Sequence, residues 1–342
     1  MKFGVFDHVD RGTVPLAEHF ENRLKLIETY DRCGFYAYHV AEHHMTPLGM
    51  AASPSVFLAA ASQRTRRLRF GALVYPLPMY HPLRIAEEIC MLDHLSGGRL
   101  EVGVGRGVSP YEIAYYGLDP AQTQAMYFEA FALLIKALTS RELTFEGKFY
   151  AFRDVPMEME PLQRPHPPMW YGVSDPAAVP WAAQNRINIV CNAPLPVVRG
   201  VVDSYRAEWR KAGRSAGELP LIGMNRHVVI ADTAEEALAS ARRAYKRWHD
   251  SFILLWNRHG GTPFRAAYPD NFDDAARMGF GVAGTPAQVR DVLAAQVAET
   301  GINYFLCRAA FGDLSFAESL RSVELFAHEV MPALAAARQA AE

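Results

Sequence analysis

Two short runs in this 342-residue sequence carry side chains able to do chemistry. Glu42-His43-His44 sets a carboxylate beside two imidazoles. Imidazole titrates near neutral pH and can give or take a proton. With Asp7 and His39, the same run also contains the ligand types that hold a divalent metal. In an extended chain, however, neighbouring residues face opposite sides, so His43 and His44 should diverge. No other His, Cys or carboxylate cluster completes a convergent set, and no metal is expected. His43 is the choice for a pocket acid or base. His44 is placed at the rim, beside a substrate, with a structural role the more ordinary outcome.

The second run is Gly103-Val104-Gly105-Arg106-Gly107. Its spacing is wrong for a G-x-G-x-x-G dinucleotide loop, and no acidic residue stands at the usual offset. Glycines here would let backbone approach closely at the end of a strand, leaving recognition to Arg106. A guanidinium fork suits a phosphate, with charge-assisted hydrogen bonds of about 1.5–3 kcal/mol each. An ion pair to Glu101 or Asp93 is an equally good reading of the same residue. Tyr75, Tyr80, Tyr111, Tyr115, Tyr116 and Met126 are candidates for an apolar, partly aromatic substrate pocket, although such residues more often pack core or rim.

These residues need a scaffold, and the chain supplies an alternation of strands and helices. Strand patterns fall at 2–6, 36–40, 68–75, 99–104, 169–173, 187–191, 221–231 and 303–308. Helical patterns separate them, and several carry end signals. Gly34 suits a helix C-cap and Pro82 a helix first turn, while Thr233 with Glu236 has the spacing of a capping box. The rhythm breaks twice, with a hairpin and proline-rich excursion at 143–168 and a loop-like stretch at 251–284. Eight strands alternating with eight helices favour a (β/α)₈ barrel over an open doubly wound sheet, the whole chain 1–342 forming one barrel domain. In a barrel the strand ends share one mouth. Asp7-His8, Glu42-His43-His44, Tyr75-Pro76, Gly105-Arg106, Ser174-Asp175, Cys191-Asn192 and Arg308 all stand at such ends.

Composition narrows the classes. The 35 basic and 37 acidic residues leave a formal net charge of −2 without a basic run, which argues against nucleic acid. No apolar stretch is long enough to cross a bilayer, and nothing at the amino terminus reads as a signal peptide. The four cysteines are far apart with no paired spacing, as expected of a cytoplasmic, reducing-compartment protein.

The segments Ala41-Glu42-His43-His44, Leu77-Pro78, His81-Pro82-Leu83-Arg84, Glu87-Glu88 and Leu92-Asp93 continue into Leu95-Ser96-Gly97-Gly98-Arg99 and Gly103-Val104-Gly105-Arg106-Gly107. Together they resemble the bacterial luciferase-like flavin monooxygenases. Lys2-Phe3-Gly4, Gly284-Thr285-Pro286 and Gly301-Ile302-Asn303 extend the resemblance almost end to end. It implies a barrel that holds reduced FMN at its mouth, usually as a homodimer, with O2 and a small, apolar organic molecule as co-substrates. A separate flavin reductase would supply the reduced cofactor, since no nicotinamide fingerprint is present.

Carried over residue by residue, the resemblance makes Arg106 the phosphate ligand, Gly105 a neighbour of the cofactor and His43 the catalytic histidine. It places a non-proline cis peptide between Leu73 and Val74, beneath the flavin ring, and a mobile lid at 251–284. Ser174 and Asp175 stand where the family commonly offers small hydroxyl residues to the phosphate. Asp175 is compatible with a phosphate only if its carboxylate turns away. This departure keeps a deazaflavin coenzyme as an alternative to FMN. A metal-dependent barrel hydrolase using Asp7, His39, His43 and His44, and a non-catalytic flavin-binding protein, are the competing functions.

Overall fold

The protein is described here from a computed structural model, which covers residues 1–173, 175–262 and 268–339. Its strands are β1 (Lys2–Asp7), β2 (Ala37–Val40), β3 (Arg69–Ala72), β4 (Tyr75–Pro76), β5 (Val102–Gly105), β6 (Glu142–Glu146), β7 (Ala151–Pro156), β8 (Met169–Gly172), β9 (Asn188–Cys191), β10 (Ile222–Ile230), β11 (Gly281–Gly284) and β12 (Tyr304–Arg308). The pairing order runs β3-β2-β1-β12-β10-β9-β8-β5-β4, every neighbour parallel. A parallel bridge between Phe70 and Leu100 brings the two ends together. There the Phe70 N–H donates to Arg99 O at 3.2 Å and the Glu101 N–H to Phe70 O at 2.8 Å. The result is a (β/α)₈ barrel, as the alternation predicts.

Parallel barrel strands are covered on both faces, so they read as continuous rather than alternating apolar runs. β10 is the clearest case, buried along its entire length. The β3–β5 seam closes because of glycine. A Cβ on Gly71 would lie 1.9 Å from the Glu101 carbonyl oxygen, and one on Gly103 would lie 2.3 Å from that of Ala72. Inside the barrel the fully buried Glu101 carboxylate accepts from Tyr36 Oη at 2.7 Å, Arg69 Nε at 2.6 Å and Trp170 Nε1 at 2.5 Å. Trp170 and Tyr304 pack beside it with His39, whose Nε2 is 3.0 Å from Tyr304 Oη.

The surrounding helices that bear on the site are α1 (Leu16–Arg32), α2 (Pro54–Arg64), α3 (Pro82–Leu95), α4 (Pro110–Tyr115), α5 (Thr123–Thr139), α6 (Val179–Gln184), α7 (Leu195–Lys211), α8 (Ala234–His259) and α9 (Phe272–Arg277). The excursion at 143–168 contains the antiparallel β6–β7 hairpin. Its turn is tied down by Glu129 on α5, whose carboxylate accepts the N–H groups of Lys148, Phe149 and Tyr150.

The stretch 251–284 departs from the loop expected of it. α8 continues to His259 because Trp248, Phe252, Leu255 and Trp256 prolong its inward face, and Gly260 caps it in the left-handed conformation at φ 68°. α9 and β11 follow, β11 pairing with the outer half of β10. Thr233 does cap α8, accepting the Glu236 N–H at 3.2 Å, while full reciprocal capping boxes are found at Thr285 with Gln288 and at Ser315 with Glu318. The part of the expected lid at 263–267 lies outside the described residues.

Candidate active site

The carboxyl ends of the barrel strands surround a cavity of about 900 Å³. Phe6 of β1, His43 after β2, Leu73 and Val74 after β3, and Gly105 and Arg106 at the end of β5 form one part of its wall. Tyr171 and Gly172 of β8, Val190 of β9 and Asn192 after it, Asn225 of β10 and Arg308 of β12 form another. Phe128, Trp248, Phe252, Trp256, Tyr268 and Phe280 supply an aromatic rim.

His43 is held by a residue that sequence reading passed over. Its Nδ1 lies 3.1 Å from Glu112 Oε1, and the other oxygen of that carboxylate accepts the His44 N–H at 3.0 Å. A carboxylate accepts, so Nδ1 bears the proton and Nε2 is the nitrogen left to exchange one. Glu112 rides on α4, whose first turn is capped by Ser109 Oγ accepting the Glu112 N–H at 3.3 Å. The Ser109-x-x-Glu112 spacing is visible in the sequence as a helix start; its use as a histidine anchor is not. His8 also lines the cavity, its ring centroid 5.4 Å from that of His43. The Trp248 indole donates to His8 Nδ1 at 3.3 Å. Burial, reinforced by the Arg308 charge, pushes His8 well below the usual histidine range, so it is neutral.

His44 and Tyr75, expected beside the substrate, are not among the described residues that line the cavity. His44 points behind it, with Nε2 at 2.8 Å from Glu42 Oε1 and Nδ1 at 2.9 Å from Tyr116 Oη. Burial raises the Glu42 carboxyl against this contact and a 2.6 Å bond from Tyr80 Oη. Beyond the end of β2 the two histidines leave the chain on different sides, as do Val74 and Tyr75 beyond the end of β3. Val74 faces the cavity, while Tyr75 is buried on the helix side with its hydroxyl 3.1 Å from Ser55 Oγ of α2. The other proposed pocket tyrosines serve as struts: Tyr111 stacks on His259 at 4.5 Å, and Tyr115 Oη lies 2.7 Å from His259 Nε2.

The metal reading finds no convergent donors. His39 is inside the barrel, and Asp7 accepts from the Val9 N–H at 2.7 Å and Tyr38 Oη at 3.0 Å while facing Arg23 at 3.8 Å. Among the described residues no three His, Cys, Asp or Glu side chains are grouped as metal ligands.

Arg106 borders the same cavity as His43, after Gly105. A Cβ on Gly105 would lie 2.6 Å from Val74 Cγ2, so the absent side chain is what lets Val74 take its place in the wall. The Leu73–Val74 peptide is cis. The carboxylates weighed as partners for Arg106 are engaged elsewhere, Glu101 by Arg69 at 2.6 Å and Asp93 by Gln163 at 2.7 Å. Asp175 lines the cavity, with its Oδ1 accepting the Ala177 N–H at 2.9 Å, so one carboxylate oxygen caps the following turn. Ser174 lies outside the described residues.

Residues 1–304 match the luciferase-like monooxygenases. The chain belongs to the luciferase-like monooxygenase family. Within it, the 4-hydroxyprotoasukamycin monooxygenase of Streptomyces nodosus subsp. asukaensis is 30% identical, covering 90% of this chain and 85% of its own. The oxygenase component of the flavin-dependent trigonelline monooxygenase of Acinetobacter baylyi is 28% identical, over 70% of this chain and 68% of its own. Among solved structures, monooxygenase RslO1 from Streptomyces bottropensis superposes with a TM-score of 0.86 at 28% identity, over 97% of this chain and 99% of its own. The oxygenating constituent of 3,6-diketocamphane monooxygenase from Pseudomonas putida, in complex with FMN, has a TM-score of 0.78 at 20% identity, over 97% and 98%. As a luciferase-like monooxygenase, this protein is an oxidoreductase of a flavin-dependent family.

Proposed function

We propose that this luciferase-like monooxygenase binds reduced FMN and uses O2 to oxidise a small organic molecule. The observation that carries the reading is that His43, anchored by Glu112, shares one cavity with the Leu73–Val74 segment, Gly105 and Arg106. The residues present fit a flavin: a guanidinium stands at one side for a phosphate, a glycine-lined wall offers close approach, and about 900 Å³ leaves room for a cofactor and a substrate together. The FMN complex of the diketocamphane enzyme, which shares the fold, supports FMN as the flavin.

Bound reduced flavin would supply the electrons with which O2 is activated. The remaining work falls to this chain. Arg106 grips the phosphate. Leu73, Val74 and Gly105 support the ring. Phe6, Trp248, Phe252 and Phe280 keep water from the reacting atoms, which strengthens electrostatic interactions within the site. His43 Nε2 holds or transfers the proton that the oxygen chemistry requires, while Glu112 fixes its tautomer. A separate flavin reductase and a homodimer belong to the same proposal; Val56 on α2 and, separately, Met91 and Leu95 on α3 are exposed apolar side chains that a second copy could cover.

The test is single turnover of protein loaded with reduced FMN, mixed with ¹⁸O2 and a panel of aldehydes, terpenes, aromatic acids and sulfonates. The proposal expects one labelled oxygen atom in a product. Flavin reoxidation without label in any product, or preferential binding of a deazaflavin, would contradict it.

A further inference from the structure

The scheme above leaves a buried cation in the same cavity unused. Arg308, the last residue of β12, is 2% exposed and lines the cavity. Its guanidinium carbon is 5.0 Å from the ring centroids of both Phe6 and Trp248, and Nη1 is 2.8 Å from His227 Nε2. Its Nε is buried without a hydrogen-bond partner. Burial pushes the group down to about 10, which leaves it charged at neutral pH.

No described carboxylate neutralises it at ion-pair distance. Asp7 and Asp10 act on it only from further away and face Arg23 instead, at 3.8 Å and 3.4 Å. Asp10 also accepts the Gly312 N–H. The adjacent imidazoles of His8 and His227 are both pushed far down, first by burial and then by the Arg308 charge, so they carry no charge of their own. A buried cation without a counter-charge is costly, and so is a buried amide oxygen without a donor. Asn225, on the neighbouring β10, is that second case: 3% exposed, lining the cavity, its Oδ1 unpaired. Two unsatisfied polar side chains therefore border one aromatic-walled space.

Their position separates them from the phosphate end. Following the ring β1-β2-β3-β5-β8-β9-β10-β12, β5 and β12 stand four strands apart, on opposite sides of the mouth. A phosphate at Arg106 therefore leaves Arg308 free to meet a different group, with Trp248 and Phe252 lining the same cavity for an apolar body.

We infer that Arg308 and Asn225 form an oxyanion subsite, and that the substrate is an organic acid whose carboxylate pairs with Arg308 while its aromatic or aliphatic body packs on the rings. A carboxylate only accepts, so Asn225 gives the second polar contact by donating from its NH₂. This deepens the functional reading and rests on it for the location of the flavin. It also revises the expectation of a wholly apolar substrate. The carbonyl edge of a reduced flavin offers similar chemistry, so the experiment must tell the two sources apart.

Binding of benzoate, phenylacetate and cinnamate is compared calorimetrically with that of their neutral amides, on full-length protein with and without oxidised FMN. The acids should bind about tenfold or more tightly than the amides, as expected when a charge-assisted pair is made in a dry site. Arg308→Met should erase that preference, Arg308→Lys keep part of it, and Asn225→Ala weaken acid binding, while FMN affinity stays within about threefold of wild type. The comparison of acid with amide on wild type stands even if an Arg308 variant fails to fold. No acid binding better than its amide, or a preference that survives in Arg308→Met, overturns the inference. Loss of FMN affinity in Arg308→Met assigns the cation to the flavin and overturns it too. Failure of FMN to bind wild type, with the acid preference intact, would instead count against the monooxygenase reading alone.

Discussion

Glu112 Oε1 stands 3.1 Å from His43 Nδ1, and the same carboxylate holds the next residue's backbone N–H at 3.0 Å. One side chain on α4 thus fixes the ring, its tautomer and the loop that carries it. Glu112 does not touch the reacting atoms in this arrangement; it acts by positioning.

Replacing Glu112 by Gln keeps the shape but offers Nδ1 a group that can donate as well as accept, so the wrong tautomer becomes available. Turnover should fall by about 10²-fold, within the range that general acid–base catalysis contributes, with FMN binding unchanged. His43→Gln should cost about as much, and the double variant little more than either single one. Additive losses would show that the two residues act separately.

Tyr75 tests the other side of the alternation. With its hydroxyl on Ser55 behind the barrel wall, Tyr75→Phe should cost about 1 kcal/mol of stability and leave kcat and KM unchanged. A large change in KM would return Tyr75 to the pocket.

The barrel seam makes a sharper stability prediction. Gly71→Ala would drive a Cβ against the Glu101 carbonyl oxygen, backbone that cannot yield, and should cost more than about 3 kcal/mol. Gly200→Ala, in α7 with open space around the new Cβ, should stabilise by about 0.5–1 kcal/mol. Chemical denaturation of the two variants reads both signs. Equal effects would mean that the β3–β5 contact is not closed as described.

Acid should unfold the protein steeply. His8, His39 and His227 are buried and held neutral chiefly by burial, His39 pushed down to about 4. Histidines whose folded pKa is depressed cost nothing above the unfolded value near 6.5; below it the unfolded chain takes up protons that the folded chain refuses, so stability falls. Each such proton is worth about 1.4 kcal/mol per pH unit. Asp10, raised to about 7 chiefly by burial, works the other way, holding one proton in the folded state that the unfolded chain releases. The three histidines outweigh it between pH about 6.5 and 4, so the thermal midpoint should drop across that window. A flat midpoint would contradict the buried, neutral assignments.

How much of this was legible in the sequence follows the physics of each signal. Barrel strands announce themselves as apolar runs, and their order implies the shared mouth that brings His43, Gly105 and Arg106 together. Alternation predicted the split between His43 and His44, but not that Glu42 and Tyr116 would absorb the second ring. The run 68–75 looked like one strand, and only its parity would have sent Tyr75 outward. The stretch 251–284 reads as a loop although α8 runs on to a cap at Gly260, because a stop signal says nothing of how far the helix has come. Glu112 and Asn225 escape because they bear on the site through contacts far apart in the chain, and no local pattern encodes such a meeting; the strand pattern places Arg308 at the mouth, but not its burial away from any carboxylate partner.

In the proposed function, Arg106 holds a flavin phosphate on the wall opposite Arg308. Anaerobic titration of wild type and Arg106→Ala with reduced FMN and with reduced riboflavin, which lacks the phosphate, tests it most directly. Arg106→Ala should weaken FMN binding by about 10- to 100-fold, as for one or more charge-assisted bonds, and leave riboflavin binding unaltered. Equal FMN affinity in the two proteins, or an equal loss for both flavins, would contradict it.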